Sequence, residues 1–469
     1  MSSAPVAEQS VPPSVEPVSG SARWWVLVTI GIGTFMSALD GSVVNTLLPV
    51  LSRALGTNIA GIEWVTTIYL LVISGLLLSV GRAGDLFGHK RLYLGGFALF
   101  IFGSGLCGLA GSARALVALR AVQALGAAML MATAPAILTR TFPASQRGRA
   151  LGALGTFTYL GLTAGPSLGG WLASALGWRS VFYINVPIGM VAVGFALRSI
   201  ANDHVEHRDE RFDFVGAATF SAGLVSLMVA LNQGHAWGWA SPAVLALFAA
   251  AAVLLVVFVR VETRRESPML DLTLFRSRTF SASTASALLN YACVYAVLFV
   301  LPFLLIQGRG LNAQQAGLVL TAQPVVMAVV APVSGALSDR IGSRGLATAG
   351  MLLLAAGLLS LAVIVVNGTL PSIAAALALI GLGVGVFVSP NNSALMGAAP
   401  RNRQGIAAGV LATARNVGMV LGVGFAGAVF TTVIAHAATP TAGLASGVRA
   451  SLLAAAVVAT LGAATSATR

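Results

Sequence analysis

Two charges stand alone inside apolar sequence: Asp40 in MSALDGSVVN (36–45) and Arg120 in LVALRAVQALGAA (116–128). A charge at the centre of a membrane helix costs roughly 2.5–3.5 kcal/mol on insertion scales, so it faces a cavity or a partner. A carboxyl in that position can hold a proton and give it up when water reaches it. On a helix, Thr34, Ser37, Asp40, Gly41 and Asn45 share an arc of roughly 140°, a small polar face suited to lining a cavity. Arg120 shares a similar stripe with Gln123, Ala124 and Ala127. Counting helical rise from the span ends puts Asp40 about 24 Å above Trp24, and Arg120 about 10 Å below the far surface of a core about 30 Å thick. The two therefore sit at similar depth, where the arginine can tune the acid. A plainer role is also open to both, as hydrogen-bonded groups that fix helix packing. Arg415, beside Asn416, either faces the same cavity or anchors the basic end of its span. Asn391 in FVSPNNSAL (387–395) and Tyr159 are weaker cavity candidates.

The elements that would position these residues are membrane helices. Of the 469 residues, 57% are hydrophobic and 9% charged, with a mean hydropathy of +0.89. A water-soluble fold could not bury that much apolar surface. The apolar runs are near 20 residues and continuous, which fits helical spans and excludes an alternating barrel. The net charge of +13 does not point to nucleic acid, because the bases fall between apolar runs rather than among clustered aromatics. Cys107 and Cys293 lie far apart within apolar runs, which argues against a disulfide framework or a metal site. No cofactor is expected. Residues 1–22 lack a basic start and a cleavable core, and read as a disordered cytoplasmic tail.

Fourteen spans are expected, beginning near Trp24, Ile62, Leu92, Leu116, Leu151, Val181, Phe214, Pro242, Phe280, Ala316, Leu346, Ile373, Ile406 and Val448. With the N-terminus inside, Arg82, Lys90, Arg91, Arg140, Arg147, Arg149, Arg340 and Arg344 all fall in cytoplasmic loops, which places both termini in the cytoplasm. The charged stretches DHVEHRDERFD (203–213) and VRVETRRESP (259–268) divide the spans six, two and six. The predicted units are residues 23–200, a linker with two inserted spans over 201–279, and residues 280–469. GRAGDLFGHKR (81–91) recurs 254 residues later as GALSDRIGSR (335–344). The last six spans thus repeat the first six, a construction in which the site lies at the interface of the repeats.

GRAGDLFGHKR resembles the loop motif of the major facilitator superfamily. LDGSVVNTLLP (39–49) and the Arg-Gln stretch around Arg120 and Gln123 resemble the first- and fourth-span motifs of its fourteen-span drug:proton antiporters. Gly152, Gly161, Gly165, Pro166, Gly169 and Gly170 complete the fifth-span antiporter motif, and WRSVFYINVPIG (178–189) is similar to a stretch of the same group. Leu86 and His89 depart from the loop motif, and Ala124 from the fourth-span one. The resemblance implies the all-α major facilitator fold, two six-helix bundles plus two inserted helices, in the cell membrane. It implies export of small organic molecules such as drugs or secondary metabolites, driven by protons and carried out by a monomer through alternating access.

Within that reading Asp40 and Arg120 couple protons. Asn45, Gln123, Tyr159, Asn391 and Arg415 line the cavity. Gly81, Asp85, Gly88, Lys90 and Arg91, with Asp339 and Arg340, form a cytoplasmic gate, since carboxylates at helix junctions can pair with bases and hold one conformation shut. Gly161, Gly165 and Gly169 form a bare ridge that a neighbouring helix approaches closely, and Pro166 bends the span. The rival readings are a proton-coupled uptake symporter and a non-transporting membrane sensor. An enzyme is disfavoured because His89, His204, His207, His235 and His436 sit in or near loops, and no phosphate-binding loop signals ATP as the drive. Few acids other than Asp40 occupy the spans, Glu63 lying at an outer edge, so neutral or anionic substrates are favoured over strongly cationic ones.

Overall fold

A computed structural model describes residues 20–143, 146–201, 213–264, 272–400, 404–437 and 440–469. The N-terminal tail and most of both charged linkers lie outside the described residues, as do the side chains of Gly152, Tyr159 and Asp339. No strand occurs among the described residues.

The first bundle comprises α1 (Gly20–Ala54), α2 (Ile59–Phe87), α3 (His89–Leu109), α4 (Ala113–Thr141), α5 (Arg147–Leu176), and the short α6 (Ser180–Tyr183) running into α7 (Asn185–Ser199). The inserted pair is α8 (Phe214–Trp237) and α9 (Pro242–Glu262). The second bundle comprises α10 (Arg278–Phe303), which ends in one wide turn at Leu304–Gly308, then α11 (Ala313–Ile341), α12 (Ser343–Ile364), α13 (Leu370–Gly397), α14 (Gln404–Ala435) and α15 (Pro440–Ala467). Among the described residues, 13 segments are long and apolar enough to cross a membrane, with α6 and α7 counted as one. The glycine-diluted α5, 30 residues long, completes the fourteen.

Local sequence sets the helix ends. Asn58, Ser112, Ser241 and Ser277 each turn a side-chain oxygen onto a free amide in the first turn of the helix that follows. Asn312 and Gln315 cap each other reciprocally at the start of α11. Such bonds satisfy amides that would otherwise be stranded.

The repeat seen in the loop motif is built into the backbone. Gly88 joins α2 to α3 at φ 96°, and Gly342 joins α11 to α12 at φ 87°, conformations that only glycine adopts without strain. Helix crossings repeat as well. Gly161 and Gly165 of α5 lie on α1 at Phe35–Leu39 and Ser42, and Gly418 and Gly422 of α14 lie on α10 at Leu288 and Ala292. Gly103 of α3 lies on Gln123 of α4, and Gly357 of α12 on Ile380 of α13. These crossings pair Gln123 with Ile380, and they pair Leu39, the neighbour of Asp40, with Ala292, the neighbour of Cys293.

The bundles meet along two seams, α5 against α11 and α2 against α14. In the first, Gly170 lies on the Ala313 carbonyl, Gly317 lies on that of Pro166, and the hydroxyls of Ser167 and Thr321 bond at 2.5 Å. All these groups sit in the half of the molecule remote from the basic α2–α3 turn. The inserted α8 covers the second seam. Ser221 Oγ donates to the Gly75 carbonyl of α2 at 2.6 Å, while Gly424 of α14 lies against Asn232. The outer helix α9 packs on α8 through Phe220 and Phe258, whose ring centroids are 5.1 Å apart.

Candidate proton-coupling site

Four polar side chains from three helices converge inside the first bundle. Asp40 of α1 accepts a hydrogen bond from Arg120 Nη1 of α4, a second from Gln123 Nε2 at 3.0 Å, and a third from Asn185 Nδ2 of α7 at 3.3 Å. The same Arg120 nitrogen donates to Gln123 Oε1 at 2.8 Å, and Arg120 Nε donates to the Val65 carbonyl of α2 at 3.3 Å. The guanidinium carbon stands 4.0 Å over the ring of Tyr69, a cation–π contact of a kind strengthened by desolvation. Tyr69 in turn donates to the Ser37 carbonyl at 3.4 Å. Asn185 also donates to Ser104 Oγ at 3.1 Å, tying α3 into the network. Asp40 is 3% exposed and Arg120 fully buried.

Helix periodicity explains how α4 supplies both partners, since positions three apart share a face. Neighbouring-helix geometry supplies the rest. The α5 glycines let α5 lie directly behind α1, at Phe35–Val43, and press the face bearing Asp40 towards α4. Of the two placements open to Asp40 from the sequence, a cavity face or a bonded position between helices, the structure has the second, because donors from α4 and α7 converge on both its oxygens. A paired, hydrogen-bonded acid is stable there, and removing either ionic partner leaves an uncompensated buried charge.

The remaining candidates fall in several places. Asn45 is buried and accepts from Thr66 Oγ1 at 2.9 Å, joining α1 to α2. Asn391 is also buried and accepts from the Arg469 guanidinium beyond α15. Each is thus held by a neighbouring segment, Asn45 by α2 and Asn391 by Arg469 beyond α15. Arg415 lies about 16 Å into α14 from its start, counted at the helical rise, so it sits inside the span rather than at its end. Its Nε is buried without a hydrogen-bond partner among the described residues. The side chain of Tyr159 lies outside the described residues. Pro166 sits in an unbroken helix, its carbonyl against Gly317.

At the basic end, His89 Nε2 lies 3.3 Å from Asp85 Oδ1, and Arg140 Nη2 of α4 lies 3.8 Å from the same oxygen. The buried His89 ring packs against Gly84, where a Cβ would displace it. Lys90 Nζ donates to the Leu197 carbonyl of α7 at 3.3 Å. Arg91 and Arg340 are exposed, Gly81 has open space beside it, and the Asp339 side chain lies outside the described residues.

Sequence reasoning missed Asn185, the third partner of Asp40, although it stands within a recognised stretch, WRSVFYINVPIG (178–189). Glu63 lies at the edge of its span, in the second turn of α2, as the sequence places it, but it is 5% exposed and bonded to α8, a partner that the sequence does not reveal.

Paired repeats, two packed seams and a buried ion pair define a membrane transporter fold. The Major Facilitator Superfamily profile matches residues 30–423, and the chain belongs to that superfamily. It is 35% identical to the riboflavin transporter RibZ of Clostridioides difficile, over 86% of this chain and 87% of that one. It is 34% identical to the multidrug resistance protein Stp of Mycobacterium tuberculosis, over 86% of this chain and 75% of that one. The tetracenomycin C resistance and export protein of Streptomyces glaucescens shares 32% identity over 87% and 76%. Among solved structures, an inward-facing bacterial homologue of the human lysosomal transporter Spinster superposes with a TM-score of 0.70 at 15% identity, covering 96% of this chain and 97% of that one, and shares the fold.

Proposed function

We propose that this transporter is a proton-driven exporter of small organic molecules, working by alternating access. The observation that carries the reading is the buried Asp40–Arg120 pair, which reaches four helices of one bundle through hydrogen bonds. Protonation of Asp40 removes the counter-charge of Arg120 and weakens the bonds that hold α1 to α4 and α7. Proton binding thereby changes which arrangement of the first bundle is favoured, the differential interaction that a coupled carrier needs. The α5 glycine ridge joins that change to the seam, because one side of α5 lies on α1 behind Asp40 and the other on α11.

In this reading the two bundles are residues 23–200 and 280–469, with 201–279 inserted between them. The chain works as a monomer in the cell membrane with both termini in the cytoplasm. The Asp85–His89–Arg140 contacts belong to the cytoplasmic gate. The resistance and export relatives support the outward direction. The riboflavin transporter supports a second reading, carriage of a flat, flavin-sized molecule, with proton-coupled uptake as the rival direction. In both cases the protein moves its substrate without altering it.

Purified protein in liposomes with an imposed pH gradient separates these readings, with riboflavin and tetracenomycin C as probes. Substrate movement against the proton flow supports export, and movement with it supports uptake. Probe movement indifferent to the gradient refutes proton coupling. A resistance panel in a pump-deficient host then defines the substrate range.

A further inference from the structure

The repeat that relates the bundles also relates their seams, and the seams differ at one position. Along α5 and α11 the contact is backbone on backbone, at Gly170 and Gly317. The register that carries α5 onto α14 sets Gly427 in the place of Gly170. The register that carries α2 onto α11 sets Glu63 in the place of Gly317. Where one seam has bare glycine, the other has a carboxyl folded over Gly427.

Glu63 has a built environment. Asn232 Nδ2 of α8 donates to Glu63 Oε1 at 2.5 Å, and Gln233 Nε2 donates to Asn232 Oδ1 at 2.9 Å. Gly424 admits Asn232 close to α14. Among the described residues, Asn232 from α8 and the Gly427 backbone from α14 meet Glu63 directly, and Gln233 stands behind Asn232. Among the described residues no charged side chain pairs with it. His436 of α14 is exposed, its Nδ1 bonded to the Thr432 carbonyl. Arg53 at the end of α1 is exposed, and the His235 side chain of α8 lies outside the described residues.

For packing alone a glutamine would make the same bond to Asn232, and a glycine would make the other seam's contact. What a carboxyl adds is proton exchange. An asparagine amide serves either form, donating to the carboxylate or accepting from the acid after rotation. A carboxyl that passes between a seam closed around it and open water exchanges its proton as it goes.

We propose that Glu63 is a second proton-carrying carboxyl of the transport cycle, exchanging its proton as the α2–α14 seam opens and closes, with the inserted helix α8 as its hydrogen-bonding partner. The proposal rests on the proton-coupled reading of Asp40. It gives the inserted pair a chemical part in the cycle.

Infrared difference spectroscopy on reconstituted protein tests it without a substrate. The carboxylic C=O band that disappears in Glu63→Gln is followed against pH in a Ser167→Cys/Thr321→Cys protein, oxidised to hold the first seam shut or reduced to free it. The expected result is a midpoint at least one pH unit apart in the two states, a tenfold change in proton affinity. Equal midpoints, or a wild-type spectrum without the band, overturn the proposal. Asn232→Leu serves as the second variant if Glu63→Gln does not fold; it should move the band and its midpoint, and an unmoved band also overturns the proposal. With riboflavin as probe, protons moved per molecule should fall in Glu63→Gln, and an unchanged ratio counts against Glu63. Absence of proton-linked movement in wild type removes the parent reading instead, while the band still decides whether Glu63 titrates with the seam.

Discussion

Replacing Asp40 by asparagine keeps the shape of the side chain and removes its charge and one acceptor. The carboxylate takes bonds from Arg120, Gln123 and Asn185. An asparagine has one acceptor oxygen, and its own amide would face donors. At least one buried donor is then stranded, at about 1–3 kcal/mol. The fully buried Arg120 also loses its counter-charge, and breaking one side of such a pair costs about 3–5 kcal/mol in total. Equilibrium unfolding in a detergent titration should register a loss of that size for Asp40→Asn. Adding Arg120→Gln should recover most of it, because neither charge is then left alone. Proton-driven efflux should be lost in both variants, with insertion into the membrane intact in the double variant. A double variant that regains efflux along with stability would refute the reasoning, since the pair would then be a packing device.

Three further outcomes are expected. Gly317→Ala pushes a Cβ into the Pro166 backbone, so the seam should fail to close, transport should fall, and a cysteine at Ser167 should react faster with an impermeant thiol reagent; Gly155→Ala, which meets nothing within 4 Å, should leave all three unchanged. Gly88→Ala and Gly342→Ala place a side chain at φ 96° and 87° and should each lower stability in the same detergent titration by about 1–3 kcal/mol. Oxidation of Ser167→Cys/Thr321→Cys should arrest movement of whichever probe the wild type carries in liposomes, and reduction should restore it, since the proposed alternating access requires the two positions to separate.

Most of the helical order was legible because each span is a continuous apolar run bounded by a cap or a glycine. Trp24, Ile62 and Phe214 mark their spans to within a few residues of the observed starts, whereas Val448 falls eight residues late, α15 beginning at Pro440 in sequence too polar to signal a span. The likeness of Gly81–Arg91 to Gly335–Arg344 correctly exposed the repeat. Similar depths for Asp40 and Arg120 could be counted along each helix, but their contact depends on how α1 and α4 are rotated about their axes. Periodicity shows which residues share a helix face and leaves open what that face meets. That is why Asn185 went unassigned and why the partners of Asn45 and Asn391, Thr66 and Arg469, were not legible. The burial of Glu63 was not legible for the same reason: α8 and α14, which enclose it, are more than 150 residues away in sequence.

The position of α8 has a mechanical corollary. It touches both bundles, yet grips them unequally: Ser221 is hooked by a directed bond into the backbone of α2, while α14 offers it a smooth glycine surface at Gly424. The directed bonds of α8 from Ser221 and Asn232 therefore both end on α2, which ties the inserted pair to the first half by polar contacts and to the second by close packing alone.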